Sequence, residues 1–335
     1  MASNGTMTTV GMGGWDEKWM ESFYEPVPDG EHTMVAIILL FLTLFGLIGN
    51  LTVIYIFLST KSLRTPNNVL LVNLSLIDLI MVLTCQPMFM ISSFEKEWIF
   101  GDFACDVYGA FTSFGGCGSI IAMTAIAYDR YIMICFAADA NRIASISRSV
   151  RIAAMVWLYT SLFAILPSFG IGGFVMDGYM TSCTFDYVTQ DLTTRSFVIF
   201  MYIMVFMAPM LLNIYFYYSI FETVRNSSAS DKKEKKQQSK ELAIAKVGLT
   251  CIVFFGIAWT PYALIALVGQ FSGPENIPPR LSTLPALFAK SNCVYNAYIY
   301  GFMHPKYKYQ IKKRFPCFKD PIEGSTTGVS QSTGH

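Results

Sequence analysis

Charge is what this chain has least of. Asp, Glu, Lys and Arg make up only 14% of its 335 residues, against 53% hydrophobic and 15% aromatic. An ordinary soluble domain is about a quarter charged, so that class is excluded. The sequence also lacks an internal repeat, which disfavours inverted-repeat transporters. It has no series of acidic residues along its apolar stretches, where only Asp78 qualifies, and this disfavours an ion pump or channel. No basic segment, short apolar core and cleavage site precede the first apolar stretch, so that stretch is expected to be its own insertion signal. The net charge of +1 sums two polarised faces and gives no reason to expect a nucleic-acid partner.

What the chain does have is seven uncharged or nearly uncharged runs, at residues 34–58, 68–94, 107–128, 152–170, 197–221, 247–268 and 281–303. Each is about the 20 residues that a helix needs to cross a bilayer's hydrocarbon core. The cations give the orientation. With the N-terminus outside, 18 of the 24 Lys and Arg face the cytoplasm, and only Lys18, Lys96, Arg195 and Arg280 lie outside. That is the positive-inside pattern. The expected organisation is an outer tail over residues 1–33, a seven-helix bundle over 34–303, a short amphipathic helix on the inner membrane face over 304–316, and a disordered tail over 317–335. The amphipathic helix sets its lysines near anionic lipid, and the tail offers phosphorylatable hydroxyls from Ser325 to Thr333.

Asn4-Gly-Thr6 is a glycosylation acceptor on the outer side. Among the eight cysteines, Cys85, Cys117, Cys135, Cys251 and Cys293 fall in apolar runs and read as small buried hydrophobes. Cys105 and Cys183 both face the oxidising outer compartment, so a bridge between them is expected. Cys317, past the basic helix on the inner side, is a palmitoylation candidate.

Polar residues inside the runs are few. Asn50, Asp78 and Asn296 are each costly against lipid and are expected to converge on one interior network. Lys290 stands alone as a cation inside the seventh run. An unpaired ammonium at that depth costs on the order of 3 kcal/mol or more, which marks it as a functional residue. A desolvated lysine amine can also condense with a carbonyl as a Schiff base. At the inner end of run three, Arg130 is flanked by its own Asp129, and Glu241 opens the sixth helical region. Such a cation between two acids forms a breakable clamp. Pro261 kinks the sixth helix beside Trp259, so a small push there becomes a large movement at Glu241, roughly 27 Å away at helical rise.

Taken together these residues resemble rhodopsin-like class A G-protein-coupled receptors, over nearly the whole helical region. The marks are Gly49-Asn50, Asn73-Leu-Ser-Leu-Ile-Asp78, Cys105, Asp129-Arg130-Tyr131, Trp157, Cys183, Pro209, Trp259-Thr-Pro261 and Asn296-Ala-Tyr-Ile-Tyr300. Lys290 falls where opsins carry the retinal-linking lysine. Phe288-Ala-Lys290-Ser, Thr181-Ser-Cys183-Thr-Phe-Asp-Tyr187 and His304-Pro305-Lys306-Tyr307 resemble invertebrate, rhabdomeric-type opsins in particular.

The resemblance implies an all-α seven-helix membrane bundle with a small β-hairpin in the second outer loop, and covalently held 11-cis-retinal or a close analogue. It also implies a pocket that includes Tyr108, Gly116, Trp259 and Tyr262. A buried cationic Schiff base needs a carboxylate counterion, because desolvation disfavours the charged form. Tyr108 stands where vertebrate visual opsins place a glutamate and cannot serve. Asp177, six residues before Cys183, stands where many opsins carry a glutamate and is the expected counterion, with Asp186 the weaker candidate. A heterotrimeric G protein of Gq type, arrestin and a receptor kinase are the implied partners. Asp129, Arg130, Tyr131, Glu241, Asn296, Tyr300, His304, Pro305 and Lys306 are the implied coupling residues, and a photoreversible product is expected. No metal site and no enzymatic residue are implied. Ala297 replaces the usual proline after Asn296, so a straighter helix is expected there. The rival readings are a receptor for a diffusible ligand and a retinal photoisomerase on the same scaffold.

Overall fold

The computed structural model of the chain describes residues 27–136, 143–226, 232–273 and 276–314. Six helices are long and apolar enough to cross a membrane. They are α1 (Asp29–Ser59), α2 (Pro66–Glu95), α3 (Asp102–Cys135), α4 (Ile146–Ile165), α5 (Leu192–Asn226) and α6 (Lys232–Ser272). The seventh span is two shorter helices, α7 (Pro279–Lys290) and α8 (Asn292–Met303), and α9 (Pro305–Arg314) follows. The fold is the expected seven-helix bundle, with the hairpin of β1 (Phe174–Met176) and β2 (Cys183–Phe185) between α4 and α5.

The bundle turns its few polar groups inward. α1 shows Phe41, Leu44, Ile48 and Leu51 to the outside while Asn50 is fully buried. This is the arrangement a hydrocarbon solvent requires. Asp78 is the hub of the interior: Ser119 Oγ donates to it at 2.7 Å and Asn296 Nδ2 at 3.2 Å. Asn50 Nδ2 donates to the backbone oxygens of Gly46 and Cys293, at 3.0 and 2.8 Å. The three residues therefore sit in one region between α1, α2, α3 and α8.

Helix ends depart from the apolar runs for a simple reason. Charged residues are excluded from hydrocarbon but not from a helix, so α1 starts at Asp29, five residues before the run. Pro28 leads into it with φ −58°, and Asp29 and Glu31 in the first turn complement the helix dipole. α6 likewise begins at Lys232, well below its apolar run.

Backbone irregularities lie where the chemistry is. Pro209 lacks the N–H that would close a regular turn, and a π-helical stretch, Tyr202–Met207, precedes it in α5. α6 stays helical through Pro261. α8 runs unbroken through Ala297, where a straighter helix was expected, and the seventh span is interrupted instead at Ser291. Three short contacts satisfy the carbonyls there. Ser291 N–H and Oγ donate to Phe288 O at 3.1 and 2.6 Å, and Cys293 Sγ donates to Lys290 O at 3.0 Å. The spacing of Pro and Gly gave no sign of it.

Antiparallel pairing sets Phe174 opposite Phe185, Val175 opposite Thr184 and Met176 opposite Cys183. The Cys105–Cys183 disulfide pins β2 to the outer end of α3, with Cα atoms 5.6 Å apart. Gly109 supplies the space beneath it, because a Cβ there would lie 2.2 Å from Phe174 Cδ1. On the inner side, Arg314 of α9 donates to Ser59 Oγ and Thr60 Oγ1 at 3.1 and 2.8 Å, which ties the last helix to the end of α1. Replacing both Cys105 and Cys183 with Ser should lower the unfolding free energy by about 3 kcal/mol. Thermal unfolding in detergent, compared with the wild type, checks this.

Candidate functional site

Lys290 ends α7, pointing into the bundle with 3% of its surface exposed. Its Nζ lies 5.5 Å from the Phe89 ring centroid and 5.8 Å from that of Tyr108, in reach of cation–π attraction. Above it the hairpin turn carries Asp177, which is 1% exposed. Ser182 Oγ donates to one oxygen of this carboxylate, and the Tyr179 N–H donates to the other at 3.1 Å. Burial pushes the Asp177 carboxyl above the usual carboxylate range, against the opposing pull of the Ser182 hydroxyl and the Lys290 charge. Asp177 and Lys290 feel each other's charge, yet no ion pair of Lys290 falls within 4.0 Å among the described residues. The Tyr108 and Thr112 hydroxyls are buried nearby, and the Thr181 hydroxyl is buried without a partner. Asp186 is placed differently. Its Oδ1 caps the backbone N–H groups of Val188 and Thr189, at 3.0 and 2.9 Å, and so it is occupied in shaping the loop.

A cavity opens from Lys290 between α3, α6 and the hairpin. A second space along α5 shares walls with it at Gly116, Cys117, Phe185, Met201, Trp259 and Tyr262. Gly116 is required here, because a Cβ would lie 2.2 Å from Trp259 Cη2. The indole stacks on Phe255 at 5.4 Å and meets the edge of Tyr262 at 6.0 Å, and the Tyr262 hydroxyl pairs with Thr184 of β2. Lys290 is the only charged side chain among the residues lining the first cavity. An amine at one end of an apolar, aromatic-walled space fits an elongated apolar carbonyl compound. The sequence reading missed Phe89 and took Cys85 and Cys293 as inert packing. All three surround Lys290, and only their spacing of about one helical turn from each other or from Lys290 hinted at it.

At the inner end, Arg130 lies between Asp129 at 2.6 Å and Glu241 at 2.7 Å, which is the expected clamp. A third partner was not expected: Arg148 of α4 takes the other Asp129 oxygen at 2.8 Å and lies over the Tyr128 ring. The Tyr131 hydroxyl faces that of Tyr215 at 3.4 Å. Tyr300 is buried beside Cys251, and Tyr217 is buried with an unpartnered hydroxyl. Lys306 is exposed on α9. His304 is 2% exposed, packs edge-on against Tyr307 at 5.3 Å and has neither ring nitrogen partnered. Burial, then the Lys306 and Arg130 charges, hold its imidazole down to about 4. Asn4 and Cys317 and the Pro305 side chain lie outside the described residues.

Because the folded pKa of His304 is depressed, its contribution to stability is present above the ordinary histidine value and is lost as pH falls through the folded one. The wild type should therefore lose on the order of 3 kcal/mol more than His304→Phe between pH of about 6.5 and about 4. Parallel thermal melts across that range measure the difference.

Residues 49–300 match the family described as 7 transmembrane receptor (rhodopsin family). Melanopsin of Phodopus sungorus is 36% identical over 314 residues, 91% of this chain and 66% of that protein. The chain thus spans just under two thirds of that melanopsin. Rhodopsin of Enteroctopus dofleini is 36% identical over 306 residues, 88% of this chain and 67% of that one. The scallop protein named "Rhodopsin, GQ-coupled", from Mizuhopecten yessoensis, is 34% identical over 306 residues, 88% of this chain and 61% of that one. The crystal structure of squid rhodopsin superposes with a TM-score of 0.84 at 33% identity, covering 94% of this chain and 96% of that one. Sequence marks, bundle and relatives agree that the chain belongs to the rhodopsin family of seven-transmembrane receptors, as an opsin similar to the melanopsins and invertebrate rhodopsins.

Proposed function

We propose that this chain is a light-activated, G-protein-coupled receptor of a multi-pass membrane, with its N-terminus outside, Lys290 as the retinal attachment site and Asp177 as the counterion. The observation that carries the reading is the buried Lys290 amine at the end of an apolar cavity, beneath a buried lid carboxylate. When bound as a Schiff base, retinal supplies visible-light absorption and a light-driven change of shape. The protein's own residues do the rest. Asp177 offsets positive charge at Lys290 in a medium of low dielectric, where an uncompensated cation is costly. The buried Tyr108 and Thr181 hydroxyls give that charge further hydrogen-bonding capacity. Trp259, wedged against Gly116, takes up displacement within the cavity and passes it to α6.

At the other end of α6, that movement separates Glu241 from Arg130 and opens the inner face to a G protein. Gq is favoured by the His304-Pro305-Lys306 motif and by the printed name of the scallop relative. The disulfide-held lid supports an attachment that outlasts activation and can be reversed by a second photon. Receptor kinase and arrestin are assigned to the tail hydroxyls, anionic lipid to the α9 lysines, glycosylation to Asn4 and palmitoylation to Cys317. The Arg130 clamp supports signalling over a photoisomerase role.

Borohydride reduction of protein reconstituted with 11-cis-retinal should leave a retinyl adduct on Lys290 by mass spectrometry, and an absent adduct rejects the photoreceptor. Asp177→Asn should lose visible absorbance near neutral pH. Illumination should raise nucleotide exchange on Gq more than on Gi, and Glu241→Gln should raise the dark rate roughly fivefold, as expected for about 1 kcal/mol taken from the closed state.

A further inference from the structure

The turn that carries Asp177 is fastened from outside the bundle by residues that take no part in the cavity. The Gly178 N–H donates to Ser282 Oγ at 3.1 Å, and the Tyr179 N–H donates to Thr283 Oγ1 at 3.0 Å. The turn therefore leans on the start of α7. A Cβ on Gly178 would lie 2.6 Å from the Pro279 backbone, so the two surfaces are in close contact. The Tyr179 N–H also reaches Asp177 Oδ1. The Tyr179 side chain leaves in the opposite direction. Its ring is 2% exposed and meets the edge of buried His32 at 5.4 Å, and its hydroxyl donates to Glu31 of α1. Arg280, in the first turn of α7, holds the Glu31 carboxylate through contacts of 2.6, 3.0 and 3.0 Å. Three separate elements, α1, the lid and α7, thus meet at one carboxylate.

The Glu31–Arg280 pair is part-exposed, with side chains 25% and 56% accessible. As an ion pair it contributes little by itself. Its effect is positional: a two-pronged guanidinium contact fixes where the carboxylate points, and the hydroxyl bond to that carboxylate is charge-assisted. The other charged or titratable groups at this corner are His32 and the Asp29–Lys96 pair, which is closed on itself at 2.6 Å.

We propose that Tyr179 is a positioning residue for Asp177: held by the Glu31–Arg280 pair, it keeps the 177–182 turn shut over Lys290 and keeps water and small nucleophiles from entering through the outer face. The inference rests on Asp177 as the counterion, and its test has two arms. In the retinal-free full chain, hydrogen exchange is followed at the Gly178 and Tyr179 amides. In the chain reconstituted with 11-cis-retinal, bleaching by hydroxylamine is followed in the dark.

Tyr179→Phe, which keeps the ring on His32, and Arg280→Ala should each speed both processes roughly tenfold, the scale of one charge-assisted hydrogen bond. The double variant should be no faster than the faster single one, and Arg280→Lys should recover part of the loss. Wild-type rates in the single variants, or effects that multiply in the double variant, overturn the latch. A wild-type chain that takes up no retinal overturns the reading of Lys290 and Asp177 instead, while the amide rates still decide the latch.

Discussion

A cation enclosed in hydrocarbon must be compensated, and much of this molecule is arranged around that requirement. Lys290 is 3% exposed, and the acid that we propose as its counterion, Asp177, lies outside the span. The acid arrives on a hairpin folded inward over the bundle. The hairpin is held inward because Cys183 is bonded to α3 and Thr184 touches Tyr262 of α6. Gly109 and Gly116 are glycines for the same reason, since each yields its side-chain volume to an aromatic ring that closes the site.

The inner end solves a related problem in the opposite sense. Arg130 is nearly as buried as Lys290, but it has its acids at hand in Asp129 and Glu241. One of these belongs to its own helix and the other to α6, so the pair across helices is the breakable one. Arg148 makes the arrangement asymmetric by holding Asp129 from the far side. The unpartnered Tyr217 hydroxyl and the ring nitrogens of His304 lie within reach of the Arg130 charge. Unsatisfied buried groups of this kind favour any rearrangement that supplies partners.

Much of this was legible in the sequence, because membrane insertion leaves a strong signal. Seven apolar runs, the cation asymmetry and the lone Lys290 followed from solvation alone. The Asp129-Arg130 pair and the two outer cysteines were visible as chemistry at defined depths. What could not be read was anything set by packing between distant segments. Phe89 and Cys85 look like any apolar residues of a span until α2 is placed beside α7. Arg148 looked like one more inner-face cation. Glu31, Tyr179 and Arg280 are 148 and 249 residues apart along the chain from Glu31, and no local pattern links them. The helices are longer than the apolar runs inside them, because hydropathy reports the membrane and not the hydrogen-bonded backbone.

The interruption at Ser291 gives the seventh span two stiff rods in place of one. Lys290 terminates the outer rod, while Asn296 and its tie to Asp78 belong to the inner one. The residue between them keeps helical dihedrals, φ −65° and ψ −16°, and the Val294 N–H closes a tight turn onto its carbonyl at 3.0 Å, so the seam that parts the buried amine from the polar hub is one residue wide.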